Sequence, residues 1–174
     1  GRIVLPIFMV SEYRKVNYAN PWIRPPAEIY NLVPISVNDG MDVSYRLHWG
    51  EYTDVIRGFY GGKTSKSPDG SRSQAKDQWG IFNTTEYGFL TVQLHYHQTN
   101  LDLQGPHTLF DAFRQFGAEG NAIADRYDCN GRRVGAAGFG IDYDPGDWFL
   151  MGEWSRNFSS CFIPHQTVWY VSGG

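Results

Sequence analysis

Residues 142–154 read DYDPGDWFLMGEW, and how this stretch turns decides the fold. Asp144-Pro145-Gly146-Asp147 is a tight turn: proline presets φ at one corner, and glycine takes backbone conformations closed to other residues. On either side, large apolar residues alternate with small or polar ones, the period of two that marks a strand. Tyr143, Leu150 and Trp154 therefore share one face of a hairpin, and Asp142 and Glu153 share the other.

The same pattern spreads outward along the chain. In MDVSYRLHW, residues 41–49, Met41, Val43, Tyr45, Leu47 and Trp49 fall on one face and Asp42, Ser44, Arg46 and His48 on the other. Gly50-Glu51 turns the chain into DVIRGFYGG, with Arg57 on the polar side. FLTVQLHYHQTNLDL, residues 89–103, alternates best: Leu90, Val92, Leu94 and Tyr96 oppose Thr91, Gln93, His95 and His97. QWGIFNTTEYG, VGAAGFGIDY, WFLMGEWSR and TVWYVSGG complete seven expected strands, or eight if residues 1–5 add one. The Gly-rich GAAGFG run lies inside a strand and predicts close packing or curvature there.

The connections carry the topology. Long polar or irregular stretches are expected near 63–77, 104–131 and 157–166, and tight turns near 50, 88 and 145. All the short turns then lie at one end of an up-and-down meander and all the long connections at the other. Outer-membrane barrels have this asymmetry, whereas sandwiches mix their loop lengths more freely. Leu109, Phe113 and Phe116 have helical spacing, which predicts a short helix within 104–131. Trp49, Tyr52, Tyr87, Tyr143 and Trp148 lie beside the short turns, where an interfacial girdle belongs.

Composition narrows the function. At 174 residues, the chain has room for one domain, residues 1–174. Its net charge of −3 argues against a general nucleic-acid binder. No stretch approaches the roughly 18 apolar residues of a transmembrane helix, but a barrel crosses lipid with strands of about 10 residues whose apolar side chains merely alternate. No nucleophile elbow, zinc-protease motif or phosphate loop is present, so no catalytic residue and no cofactor are assigned. His95 and His97 point the same way, but a metal site needs more ligands in fixed geometry, and none is assigned. Cys129 and Cys161 fall in long connections at the same end; spacing leaves open whether they pair.

GRIVLPIFMVSEYRKVNYANPWIRPPAEIYNLVP, followed by strand-turn-strand, and GIDYDPGDWFLMGEW, followed by VWYVSGG, resemble the general porin family of Gram-negative bacteria, in particular putative porins of proteobacteria. The resemblance runs across nearly the whole chain and is most specific in the Tyr-Asp-turn-Trp-Phe hairpin. It implies an all-β fold, an antiparallel up-and-down transmembrane β-barrel of about 16 strands, of which this chain supplies an internal part. It further implies a homotrimer in the bacterial outer membrane, in contact with the lipid bilayer and lipopolysaccharide, passing small hydrophilic solutes and ions passively. The segment 6–34 corresponds to the loop that folds into the barrel and narrows it, and residues 41–174 to barrel strands.

On this reading, Glu12, Arg14, Lys15, Arg24 and Glu28 line the constriction, where charges of both signs select solutes. Pro21, Pro25, Pro26 and Pro34 deny that segment regular structure. Arg46, Arg57, Asp142 and Glu153 line the lumen with His48, Gln93, His95 and His97. The competing expectation is a soluble β-sandwich that binds carbohydrate through its aromatic rings. It buries Tyr45, Leu47, Val92 and Leu94 between two sheets, and the barrel leaves them bare.

Overall fold

The computed structural model describes residues 1–5, 7, 9, 37–66 and 71–174. The chain is predominantly antiparallel β-sheet. Its strands are β1 (Arg2–Val4), β2 (Val37–Trp49), β3 (Tyr52–Lys66), β4 (Arg72–Tyr87), β5 (Leu90–Leu103), β6 (Arg132–Tyr143), β7 (Leu150–Ser159) and β8 (Thr167–Gly173). They form one eight-stranded sheet in sequence order, so every strand pairs with its neighbour along the chain. Two helices, α1 (Gln104–Arg114) and α2 (Gly117–Tyr127), fill the connection between β5 and β6.

The short turns fall where alternation stops. Gly50 and Gly88 take φ of 61° and 56°, and Gly146 reaches 103°, values that a side chain disfavours. Asp144 reinforces the third turn by accepting the Gly146 N–H at 3.0 Å, the local bond that makes Asp a turn residue.

Three expectations about the connections need correcting. Residues 63–77 are mostly strand: Lys63 pairs with Ala75, Thr64 with Gln74, Ser65 with Ser73 and Lys66 with Arg72. Polar composition misled because ladder hydrogen bonds belong to the backbone and tolerate Ser, Thr and Gln side chains. The ladder is irregular at Gly61/Lys63 on β3 and at Lys76/Trp79 on β4, where Asp77 adopts a φ of 49°. β7 likewise runs on to Ser159, into the connection expected at 157–166. The single helix expected within 104–131 is two helices, split at Gly117 with φ 75°. That break disrupts the Leu109–Phe113–Phe116 stripe: Phe110 is the buried residue of α1, and Phe116 is exposed.

The two faces of the sheet are covered very unequally. Tyr45, Leu47, Leu94, Phe139, Ile141, Leu150, Trp169 and Val171 are exposed, and Trp49 is 88% accessible. Gln93, His95, His97, Glu153, Ser155 and Asn157 are buried. This inverts the ordinary arrangement, in which strands turn apolar residues inward and polar ones to water. No second sheet is present among the described residues to cover the apolar face. On the polar face, Leu5 and Ile7 pack with Phe59, Phe82 and Met151, flanked by Ile3, Met9, Phe149, Val168 and Tyr170. Leu5, Ile7 and Met9 therefore lie against that face, called the covered face below; the apolar one is the open face.

The helical hairpin is tied to the next connection. Cys129, just after α2, forms a disulfide with Cys161, and Phe110 meets the Phe162 ring with centroids 6.2 Å apart. The Phe162 N–H donates to the Tyr127 carbonyl at 2.9 Å.

Candidate functional site

Strand register sets the covered face out in rows. Arg46 pairs with Val55, and the row continues through Thr84, Gln93, Gly140, Glu153 and Tyr170. The adjacent row runs Ser44, Arg57, Phe82, His95, Gly138, Ser155 and Val168. The next runs Asp42, Phe59, Gly80, His97, Ala136 and Asn157. Arg46, Arg57, Asp142 and Glu153 thus occupy one face, as the alternation in the sequence requires. They do not converge: Arg46 and Glu153 share a row but stand five strands apart, roughly 24 Å at the usual spacing between strands. Glu12, Arg14, Lys15, Arg24 and Glu28 lie outside the described residues.

Several polar groups of this face find partners on neighbouring strands. Arg57 Nε meets the Asp42 carboxylate at 2.8 Å, a diagonal contact between neighbouring strands. His48 Nδ1 lies 3.0 Å from Thr53 Oγ1. Glu153 Oε1 accepts the Met9 N–H at 3.1 Å and the Tyr170 hydroxyl at 2.8 Å. His95 Nε2 approaches Ser155 Oγ at 3.4 Å, and the His95 and His97 rings stack with centroids 6.1 Å apart. Burial without hydrogen bonds is costly; Glu153 meets that cost with two donors, whereas His97 Nδ1 is buried without a hydrogen-bond partner among the described residues.

The Gly-rich run of β6 makes the room. A Cβ on Gly138 would stand 2.6 Å from His95 Cε1, and one on Gly140 would stand 2.6 Å from Met9 Cγ. Gly138 seats an imidazole and Gly140 seats the incoming segment. The expectation of close packing in GAAGFG therefore has specific occupants. Met9 and Asn157 were not among the sequence candidates. Tyr170 was legible, since alternation in TVWYVSGG opposes it to Trp169 and Val171. Nothing in the sequence marked Met9.

At the end of the sheet bearing the long connections, Arg114 bridges Asp111, Asp125 and Asp128 at 3.0, 3.5 and 3.2 Å. The Asp128 carboxylate, with help from the other two, holds its guanidinium above the ordinary arginine value. His107 Nε2 lies 3.4 Å from Asp102 and 3.5 Å from Asp128. Among the described residues, no group of three or more His, Cys, Asp or Glu is arranged to hold a metal, and no helix is long and apolar enough to cross a membrane. No family model, curated protein or solved structure matches the chain.

Proposed function

We propose that this chain is part of the wall of an outer-membrane porin, a water-filled channel through which small hydrophilic solutes and ions diffuse. The observation that carries the reading is the inverted polarity of the sheet. Its open face is aromatic and aliphatic over strands β2 and β5–β8, and its covered face buries Gln93, His95, His97, Glu153, Ser155 and Asn157 beside the cluster of Phe59, Phe82 and Met151. In water, an apolar face of this extent drives association; against hydrocarbon, it is the stable choice. The meander of neighbouring antiparallel strands, with turns at Gly50, Gly88 and Gly146 at one end and the helical connection between β5 and β6 at the other, supports the same reading.

On this proposal the sheet belongs to a barrel of about 16 strands, assembled as a trimer. The covered face lines the lumen, with Arg46, Arg57, Asp142 and Glu153 on its wall. Residues 6–34 narrow it, with Glu12, Arg14, Lys15, Arg24 and Glu28 setting the charge at the constriction. The placement of Ile7 and Met9 against the covered face supports an inward course for the start of that segment.

The deciding experiment is planar-bilayer conductance of the detergent-folded protein. Ohmic steps that persist with time are the expected result. A folded, inserted protein without steps removes the open channel and leaves a plugged barrel. A soluble monomer that never inserts removes the membrane reading and returns the carbohydrate-binding alternative.

A further inference from the structure

We propose that the covered face is electrically polarised along its strands, with carboxylates at the short-turn mouth and cations at the long-connection mouth. The ion preference of the channel then depends on which mouth faces the more dilute salt; this rests on the channel reading above. One cross-strand row marks each mouth. The last covered-face row before the short turns holds Glu86, Thr91 and Asp142 on β4, β5 and β6. It extends to Thr53 and His48 on one side and to Met151 and Ser172 on the other. No lysine or arginine lies in it. At the far end, Lys63, Ala75, Leu101 and Arg132 form a row from β3 to β6 that holds no acid. Leu101 follows His95 and His97 by whole two-residue steps along β5, which puts this row on the covered face as well.

The four charges act beyond their own contacts. Among the described residues, Glu86, Asp142 and Lys63 make no ion pair, and Arg132 donates to the uncharged carbonyl of Asp125. Glu86 and Asp142 stand two strands apart, roughly 10 Å. Their fields overlap in dilute salt, where the screening length is about 10 Å, and separate at about 1 M, where it is about 3 Å. Tyr87 and Tyr143, the next residues along the two strands, turn to the open face beside the short turns. Both carboxylates therefore stand behind the aromatic girdle, at the mouth.

The remaining charges do not offset this division. Arg57 and Asp42 cancel each other at 2.8 Å, and Glu153 is held by the Met9 N–H and the Tyr170 hydroxyl. Arg46 stands two strands from Glu86 and one covered-face row further in, roughly 12 Å away. The short turns add Glu51, Asp144 and Asp147 and no cation. Beyond the other mouth, Arg114 gathers Asp111, Asp125 and Asp128, and the exposed Glu119 and Arg126 of α2 offset each other. The open face at that end sets Asp39, Asp77 and Asp102 among Lys66, Arg72, Lys76 and Arg133, so its acids do not reverse the sign. Carboxylates at a mouth concentrate cations there, and cations concentrate anions. Salt erases the effect at whichever mouth it bathes more strongly.

The test records reversal potentials of single channels of the folded protein in planar bilayers. Potassium chloride is set at about 1 M on one side and about 0.1 M on the other, and the gradient is then reversed. The potassium-to-chloride permeability ratio should differ by about twofold between the two directions. The higher value belongs to the short-turn mouth facing the dilute side. E86Q/D142N should lower the higher value and leave the lower one, and K63Q/R132Q should raise the lower value and leave the higher one. The four single substitutions, each with part of the effect, serve if a pair does not fold. Equal ratios in the two directions for wild type overturn the inference and leave the channel reading standing. So do conducting variants that match wild type, or a pair that shifts both values alike. A folded, inserted protein that does not conduct overturns the channel reading, and this inference with it.

Discussion

The Met9 N–H donates to Oε1 of Glu153 at 3.1 Å, joining residues 144 apart in the chain. The same oxygen takes the Tyr170 hydroxyl, so one carboxylate fastens the early segment to β7 and β8 together. Apolar packing of Leu5 and Ile7 brings the segment to the face; the carboxylate fixes where it stops.

Glu153→Ala should therefore cost about 1–3 kcal/mol, the usual penalty for stranding buried donors. Glu153→Gln keeps an acceptor and should cost less. Urea midpoints of the folded protein in detergent compare them. Identical midpoints for the two variants would show that the oxygen holds nothing.

Gly138 and Gly140 should fail differently when given a methyl group. At Gly138 the new Cβ meets the Trp154 carbonyl at 2.5 Å, so Gly138→Ala strains the β6–β7 ladder itself. At Gly140 the nearest atoms belong to the Met9 side chain, so Gly140→Ala displaces the segment and spares the ladder. Each is expected to cost about 1–3 kcal/mol. Hydrogen exchange in β6 and β7 separates them: it should rise in the first variant and hold in the second.

A charge placed on the open face should be far more damaging than one on the covered face. Leu94→Arg is expected to destabilise the bilayer-inserted protein by roughly 2–4 kcal/mol. Ser44→Arg, on the polar face and exposed, should stay within about 0.5 kcal/mol. Equal effects in a bilayer would mean that lipid does not touch Leu94.

The Cys129–Cys161 bond closes a loop with a sequence separation of 32, worth about 3–4 kcal/mol by loop-closure entropy. Replacing both with serine should loosen α1, α2 and the 160–166 connection and leave β2–β5 unchanged. Amide exchange resolved by peptide reads this directly. Comparable loosening of β2–β5 would mean that the helical hairpin supports the whole sheet.

How much of this was legible depended on period. Strict alternation in 41–49 and 89–97 placed both faces correctly, because a side chain in a strand has only two directions to take. The hairpin at 142–154 was legible for the same reason, helped by Pro145 and Gly146. Residues 63–66 and 72–77 were misread because Lys, Ser and Gln mark a loop by composition, whereas the Lys63–Ala75 to Lys66–Arg72 ladder is made of backbone bonds. The break at Gly117 was missed because helical spacing of apolar residues says nothing about where a helix stops. The seat of Met9 on Gly140 was beyond reading, since it joins two positions with no local relation. The Cys129–Cys161 pairing, left open by the sequence, depends on how the two connections fold over the sheet.

The open face also governs the protein's fluorescence. Trp49, Trp79, Trp154 and Trp169 all project from it, and Trp148 is exposed beside its turn. In an ordinary globular protein, indole emission moves to longer wavelength when the core opens. Here these indoles border the medium itself, so their emission colour and their accessibility to quenchers follow the solvent, detergent or lipid around the folded chain. A change of detergent will imitate an unfolding transition in such a measurement, and a true loss of structure inside a micelle will pass with little optical trace.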